Sequence, residues 1–186
     1  MNLILAVTGA TGAYAADVLM RKSPWPVALV ASRWGRDVYQ RECGDFAALA
    51  GRAARVFEDT DLAAPISSGS VPTVGMVVLP CSTNTLAKTA HGVADTLITR
   101  AAHCHLKERR PLVLCVRESP WTSIDLANAA AVAAAGGTIM PLSPPFYHFA
   151  GKDPKKVSMD DLLDLYVDRV LAVFGHPAPS NWETVA

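Results

Sequence analysis

Residues 3–13 read LILAVTGATGA and join an apolar run to a turn of small residues. Leu3–Val7 has the length and composition of a buried strand, and a helix is predicted directly after the turn, at Ala13–Met20. A strand that passes through glycines into a helix is typical of the first unit of an α/β sheet. Small residues there let the backbone approach a ligand such as a phosphate, and free amides at a helix start favour an anion. The alternative is that the glycines are structural.

The alternation of short apolar runs with longer amphipathic segments continues along the chain. Further strands are predicted at Val27–Ala31, Val74–Leu79, Leu112–Val116 and Thr138–Leu142, with Arg55–Phe57 as a candidate sixth. Further helices are predicted at Trp34–Glu42, Thr96–Leu106 and Ile124–Ala135. This pattern predicts an α/β protein with a Rossmann-like three-layer αβα fold and a mostly parallel sheet.

The last helix has the clearest start signal in the sequence. Ser158 and Asp161 form a capping-box pattern, and a core stripe is predicted at Leu162, Leu165, Tyr166 and Val173. This stripe would place Arg169 beside buried surface. We expect a single domain over residues 1–186, whose C-terminal helix and tail begin at about residue 158.

Composition excludes several classes of protein. The 17 Lys and Arg residues balance 17 Asp and Glu residues, which argues against nucleic acid or an acidic membrane as partner. No apolar run approaches the roughly 20 residues that span a bilayer, and Met1–Val7 resembles a strand more than an export signal. We therefore expect a soluble, cytoplasmic protein. Four scattered cysteines, without a CxxC or Cys/His cluster, do not predict a metal site.

A second polar turn, Pro80–Thr85, follows another predicted strand. Its sequence PCSTNT carries three hydroxyls and an amide, which can serve simply as helix caps. Because the carboxyl ends of parallel strands meet at one edge of the sheet, this turn is expected beside the first one. Two such turns at one edge favour a ligand site.

Charged and aromatic residues follow two later strands. Arg117 and Glu118 end the strand Leu112–Val116, at the edge where a cation can hold phosphate and a carboxyl group can transfer a proton. The run Glu108–Arg110 is more typical of a solvated surface. Pro144–His148 reads PPFYH and would hang over the same edge, although its aromatics can also simply cover the core.

The order and spacing of several segments resemble those of a known family. They are TGATGA at 8–13, ISSGS at 66–70, LPCST at 79–83, LKERRPLVLCVRE at 106–118 and PPFYH at 144–148. The chain resembles the flavin prenyltransferases of the UbiX type, whose fold is a flavoprotein fold. The resemblance implies transfer of a dimethylallyl group from dimethylallyl phosphate to N5 and C6 of reduced FMN, without a metal. It also implies a UbiD-type decarboxylase as recipient of the prenylated FMN, and a homo-oligomer, a dodecamer, with sites shared between subunits.

The resemblance further implies roles for individual residues. Those implied to bind FMN are Gly9, Ala10, Thr11, Ser32, Ser82, Thr83, Asn84, Thr85 and Arg117. Those implied to bind the prenyl donor are Arg100, Lys107, Tyr147, Arg169 and Trp182. Catalytic roles are implied for Glu118, Thr11, Glu42 and Lys107.

The sequence departs from the family pattern in the first turn and after the FYH motif. The turn reads GATG where many relatives have GASG, which keeps a hydroxyl at Thr11. Residues 149–157 are longer and more basic than the resemblance implies. Lys152, Lys155 and Lys156 can add phosphate contacts or merely solvate a loop. The sequence leaves open whether the donor is a monophosphate or a diphosphate.

Three other functions compete with this interpretation. TGATG also opens NADP-dependent reductases, with Arg33 placed for a 2′-phosphate, but Ala15 stands at the third glycine of that fingerprint. Flavin-dependent cysteine decarboxylases use an early histidine, whereas the first here is His91. A non-catalytic flavin-binding partner of a decarboxylase would be expected to lack Lys107 and the other donor-phosphate residues, which are present.

Overall fold

A computed structural model describes residues 1–143 and 153–177. Its strands are β1 (Leu3–Val7), β2 (Val27–Ala31), β3 (Arg55–Glu58), β4 (Gly75–Cys81), β5 (Leu112–Val116) and β6 (Thr138–Ile139). Its helices are α1 (Tyr14–Lys22), α2 (Arg33–Cys43), α3 (Phe46–Ala50), α4 (Thr83–Ala90), α5 (Leu97–Lys107), α6 (Ser123–Ala134) and α7 (Met159–Val173). Short 3-10 turns lie at Pro65–Ser67 and Pro154–Lys156.

The strands form one sheet in the order β3-β2-β1-β4-β5-β6, and every neighbouring pair is parallel. The predicted fold class is confirmed, and the sheet described here is fully parallel. The candidate sixth strand is β3, at one edge of the sheet. The last strand is shorter than predicted. Its hydrogen bonding to β5 continues through the amides of Met140 and Leu142, while Pro141 occupies the position whose N–H would face the open edge of the sheet.

Each face of the sheet is covered by helices and forms its own core. Alternate residues of β1 point to opposite faces, so Leu5 belongs to the cluster under α1 and α7, whereas Ile4 belongs to the cluster under α5. All five residues of β1, β2 and β5 are buried. Their continuous apolar sequences, which prompted the prediction of buried strands, follow from this burial on both faces.

The predicted core stripe of α7 is wrong in phase. Tyr166 is buried as expected, but Leu162 and Leu165 are only half-buried, and Val173 and Arg169 are exposed. The buried residues of α7 are Leu163, Tyr166, Val167, Asp168, Val170 and Leu171. The buried face is turned because α7 packs against α1, where Lys22 binds Asp168 at 2.9 Å, and this neighbour is not visible in the sequence of the helix alone.

The helices α1, α2 and α4 begin at the carboxyl edge of the sheet. Each follows a central strand after a short turn, so its N-terminus and the strand's carboxyl end lie together. The helix α5 also begins there, since the Asp59 carbonyl accepts a hydrogen bond from the Leu97 amide just after β3. Within the described residues, no helix has the length and apolar character required to cross a membrane.

Tyr166 connects α7 to the chain at the end of β6, and we predict the stability of a variant that lacks this hydrogen bond. Its hydroxyl donates to the Met140 carbonyl at 2.7 Å, and burial raises the pKa of the phenol far above its ordinary value. Tyr166→Phe should lower the free energy of unfolding by about 1–2 kcal/mol in urea denaturation, because a buried hydrogen bond is lost. Tyr14→Phe is the control, since its bond to Asp160 is exposed, and it should cost less than about 1 kcal/mol. Equal losses in both variants would contradict this account.

Candidate functional site

A cavity of about 620 Å³ opens at the carboxyl edge of the sheet. It is lined by Thr8, Gly9, Ser32, Arg33, Trp34, Asp59, Ser82, Thr83, Asn84, Thr85, Lys88, Thr96, Ile98 and Thr99. The cavity lies where the chain order of the strands reverses, between β1 and β4. Ligands of open α/β sheets bind at this switch point, and the volume is within the range of small-molecule sites.

Thr8 joins the two polar turns that the sequence singled out. Its buried hydroxyl donates to the Pro80 carbonyl at 2.9 Å and accepts from the Ser82 amide at 2.8 Å. The turn after β1 and the turn after β4 are therefore held in one fixed relation. Any ligand in the cavity meets both turns as a single surface.

Two helices direct their N-termini at the cavity. Ser32 begins α2 and accepts from the Gly35 amide at 3.0 Å, and Ser82 begins α4 and accepts from the Thr85 amide at 3.3 Å. The helix-cap role considered for the turn Pro80–Thr85 is thus observed at Ser82, and Ser32 caps α2 in the same way. It does not compete with ligand binding, since the remaining free amides and the positive ends of both helix dipoles favour an anion there.

The first turn holds an anion of its own. The Glu42 carboxylate, from α2, accepts from the amides of Gly12 and Ala13 at 2.9 and 2.7 Å. The amides expected to be free at the start of α1 are therefore occupied by a side chain. Gly9 lines the cavity, while Ala10 is buried and Thr11 is exposed, both outside the cavity lining.

Arg117 and Glu118 lie at the same edge, at the end of β5, but outside the cavity lining. The Arg117 amide donates to the Cys81 carbonyl at 3.1 Å, and both side chains are exposed. The Glu118 carboxylate accepts from the Ser119 amide at 2.9 Å. This bond orients the carboxylate of an exposed residue.

Lys107 lies at the opposite edge of the sheet. It ends α5, whose 11 residues carry it about 16 Å from the helix start. There it pairs with Glu108 and lines a second cavity of about 700 Å³ together with Arg109 and Arg110. The hydrogen bond from Lys107 holds the pKa of the Glu108 carboxyl below its ordinary value.

Arg100 also faces away from the first cavity. Its Nε donates to the Ser67 carbonyl at 3.0 Å, and Arg110 donates to the carbonyls of Gly69 and Val71. These contacts hold the ISSGS loop against α5. The loop was expected at a strand end, and it leads to the amino end of β4, away from the first cavity.

The other residues implied to bind the prenyl donor lie in α7 or outside the described residues. Arg169 is an exposed residue in the second half of α7, and Lys155 and Lys156 are exposed in a short turn. Tyr147, with the whole PPFYH motif, Lys152 and Trp182 lie outside the described residues. One copy of the chain therefore brings together the residues of the two polar turns, but it does not bring Lys107, Arg100 or Arg169 to them.

Sequence reasoning missed several residues of the cavity. They are Trp34, Asp59, Lys88, Thr96, Ile98 and Thr99, and Arg33 was considered only for a nicotinamide cofactor. Asp59 could have been found, because it follows a strand at the carboxyl edge. Thr96 could also have been found, since with Thr99 it forms a capping box that begins α5 at this edge. Residues 1–143 and 153–177 contain no group of three or more His, Cys, Asp or Glu residues that could hold a metal.

Comparison with known proteins connects this site to a set of relatives. The Flavoprotein family model matches residues 1–171. A flavin prenyltransferase UbiX from Deinococcus radiodurans is 46% identical over 182 residues, covering 96% of this chain and 90% of that protein. A crystal structure of AnUbiX in complex with FMN and dimethylallyl pyrophosphate superposes with a TM-score of 0.87 at 40% identity, covering 95% and 93% of the two chains. A dodecameric FMN-dependent UbiX-like decarboxylase from Escherichia coli O157:H7 gives 0.87 at 38% identity, covering 97% and 98%.

The bridge made by Thr8 predicts a specific loss of stability. Thr8→Val keeps the shape but leaves the Ser82 amide without its acceptor, so the free energy of unfolding should fall by about 2 kcal/mol. Hydrogen exchange at the Ser82 amide should become faster. Thr89→Val is the matched control, since Thr89 is also buried but its hydroxyl bonds only to the Thr85 carbonyl within its own helix. An unchanged exchange rate at Ser82 in Thr8→Val would refute the bridge.

Proposed function

Since the chain belongs to the UbiX family of flavin prenyltransferases, we propose that its carboxyl-edge cavity binds reduced FMN and that dimethylallyl phosphate is its prenyl donor. The observation that carries this proposal is the cavity between β1 and β4, which gathers Gly9, Ser32 and the turn Ser82–Thr85. These residues were assigned to FMN from the sequence. The protein is a metal-independent flavin prenyltransferase in this account.

The residues of the cavity fit FMN. Two helix N-termini, capped by Ser32 and Ser82, offer amides and positive dipole ends to a phosphate. Thr83, Thr85 and Thr99 line the same space, and such polar side chains suit a polyhydroxyl chain. Gly9 also lines the cavity, and its missing side chain makes room for Trp34, since a Cβ at Gly9 would come within 2.6 Å of the Trp34 Cβ. Reduced FMN supplies the nucleophilic N5 and C6 positions that receive the five-carbon group.

We assign the flavin contacts to the first turn as well as to the cavity lining. Ala10 and Thr11 follow Gly9 after β1, and Arg117 stands at the end of β5, on the other side of β4. The Glu42 carboxylate fixes the amides of Gly12 and Ala13, so it holds the turn that presents Thr11. Glu42 would therefore contribute to catalysis by holding the turn that carries Thr11.

The prenyl donor requires positive charge, because phosphate is a poor leaving group until its charge is neutralised. Lys107, Arg100, Arg169 and Tyr147 would supply charge and a hydroxyl, and Glu118 would give the departing phosphate a proton. Thr11 and Glu118 would then take up the proton that the ring loses. Trp182 would offer an aromatic face to the allylic group.

We propose that a second copy of the chain completes the donor site. Lys107 and the cavity lie at opposite edges of the sheet in one copy, so the two cannot meet within it. An oligomer that places the amino edge of one copy over the carboxyl edge of another removes this difficulty. The E. coli relative is dodecameric, and a dodecamer is proposed for this chain.

The product and its destination follow from the same resemblance. A UbiD-type decarboxylase is proposed as the recipient of prenylated FMN, and a cytoplasmic location stays a prediction. An NADP-dependent reductase and a non-catalytic flavin-binding partner are the alternatives. Neither is favoured, because the matched relatives over nearly the full chain are flavin prenyltransferases.

Anaerobic incubation tests the proposed reaction. The protein is mixed with reduced FMN and dimethylallyl phosphate, and mass spectrometry of the flavin should show the gain of one five-carbon unit. Glu118→Gln should bind FMN as before but form product at least about 100-fold more slowly, as expected when a general acid is lost. The diphosphate donor is run in parallel to decide which ester is used.

Two controls make this result specific. Asp37→Asn changes a partly exposed carboxylate that pairs with Arg41 within α2 and lines neither cavity, and it should keep the full rate. Product formation at the full rate in Glu118→Gln would remove Glu118 from the reaction. Absence of any mass gain with both donors would refute the proposed function.

Mixing two inactive variants tests the sharing of the site between copies. Lys107→Ala and Glu118→Gln are unfolded or dissociated together and reassembled at equal amounts. If each site takes Lys107 from one copy and Glu118 from another, random assembly leaves about a quarter of the sites intact, and about a quarter of the activity should return. If both residues act within one copy, every site lacks either Lys107 or Glu118, and no activity should return.

The mixture therefore has two distinct outcomes. Return of activity only after reassembly supports a shared site, and reassembly of each variant alone provides the baseline. A mixture that forms hybrid oligomers yet stays as inactive as the separate variants would refute the sharing. Hybrid formation is verified by native mass spectrometry with one variant isotopically labelled.

A further inference from the structure

Trp34 is an unusually placed aromatic residue. It occupies the first turn of α2, lines the carboxyl-edge cavity and remains 63% exposed. Within the described residues, no other side chain that lines this cavity is aromatic. Single exposed apolar side chains are common on protein surfaces, but this one stands in a concave site.

The base of the Trp34 side chain packs against Gly9, in the turn after β1. A Cβ atom at Gly9 would come within 2.6 Å of the Trp34 Cβ, so the backbone of the turn and the base of this side chain are in contact. Trp34 therefore belongs to α2 but packs beside the turn that the family resemblance assigns to FMN. The contact is made by the base of the side chain, and the indole beyond it stays largely exposed.

Arg33 supports the ring from the neighbouring position. Its guanidinium lies 5.4 Å from the centroid of the indole, in cation–π geometry. Within the described part of the chain Arg33 forms no ion pair with an acidic residue, and its guanidinium contacts the Trp34 ring. The two side chains thus form a pair at the entrance of α2, and the pair limits the rotation of the indole.

We propose that Trp34 is a flavin-binding residue of this chain, whose indole packs against the isoalloxazine of bound FMN. Two aromatic systems in contact gain attraction beyond the burial of their area, and an exposed indole in a polar cavity otherwise lacks such a partner. The inference rests on the proposed function, since it requires that FMN enters this cavity. It adds an apolar contact to a site that otherwise binds through amides, hydroxyls and charge.

Fluorescence titration with FMN tests this inference on the intact protein. Binding should quench the tryptophan emission, and Trp34→Phe should lose the largest share of that quenching while keeping FMN affinity within about threefold. Trp34→Ala should weaken FMN binding about tenfold, the effect expected from removing one stacking partner. Trp25→Phe is the matched control, since Trp25 packs against Phe174 and His176 away from the cavity, and it should retain most of the quenching.

The outcomes separate this inference from the proposed function. Quenching and affinity that are the same in wild type and in both Trp34 variants would overturn the inference and leave the function standing. Wild-type protein that binds no FMN would overturn both. If Trp34→Ala alters the oligomer in light scattering while FMN still quenches Trp34→Phe as it does the wild type, the indole contacts another copy, and the inference is again wrong.

Discussion

The parallel direction of the six strands in the described part of the chain is the constraint on which the site depends. It gathers the carboxyl ends of the strands at one edge, together with the N-termini of α1, α2, α4 and α5. At the switch point between β1 and β4, the Thr8 hydroxyl joins the two turns through the Pro80 carbonyl and the Ser82 amide. The cavity is thus a direct product of the topology, and the dipoles of the capped helices make it suitable for an anion.

The same constraint separates the two halves of the proposed reaction. Because α5 runs antiparallel to the strands, it begins beside the cavity and ends with Lys107 at the other edge. There the basic residues Lys107 and Arg110 stand beside the ISSGS loop, whose carbonyls Arg110 and Arg100 hold. The proposed flavin site at one edge and the cationic surface at the other suit an assembly in which copies meet edge to edge. In that proposal oligomerisation is part of the chemistry, since one copy does not bring Lys107 to the first cavity.

Much of the fold was predictable from the sequence, because strands buried on both faces leave unmistakable apolar runs. Leu3–Val7, Val27–Ala31 and Leu112–Val116 were predicted with their observed bounds, and the family resemblance located the turns that line the cavity. What depended on tertiary partners was not predictable. The buried face of α7 follows from its packing on α1, the amides of the first turn are held by the distant Glu42, and the place of Lys107 follows from the direction of α5. Trp34 was missed because an aromatic residue in a helix is more often part of the core. Its place in the cavity lining is visible only in the structure.

The central claim is that flavin binds at the carboxyl edge between β1 and β4. Hydrogen–deuterium exchange with and without FMN tests it most directly, since bound ligand slows the exchange of the amides that it covers. The account predicts slower exchange at residues 8–11, 32–35 and 82–85, with residues 106–111 unchanged in the absence of donor. Protection confined to residues 106–111 and 134–138, around the second cavity, would contradict it.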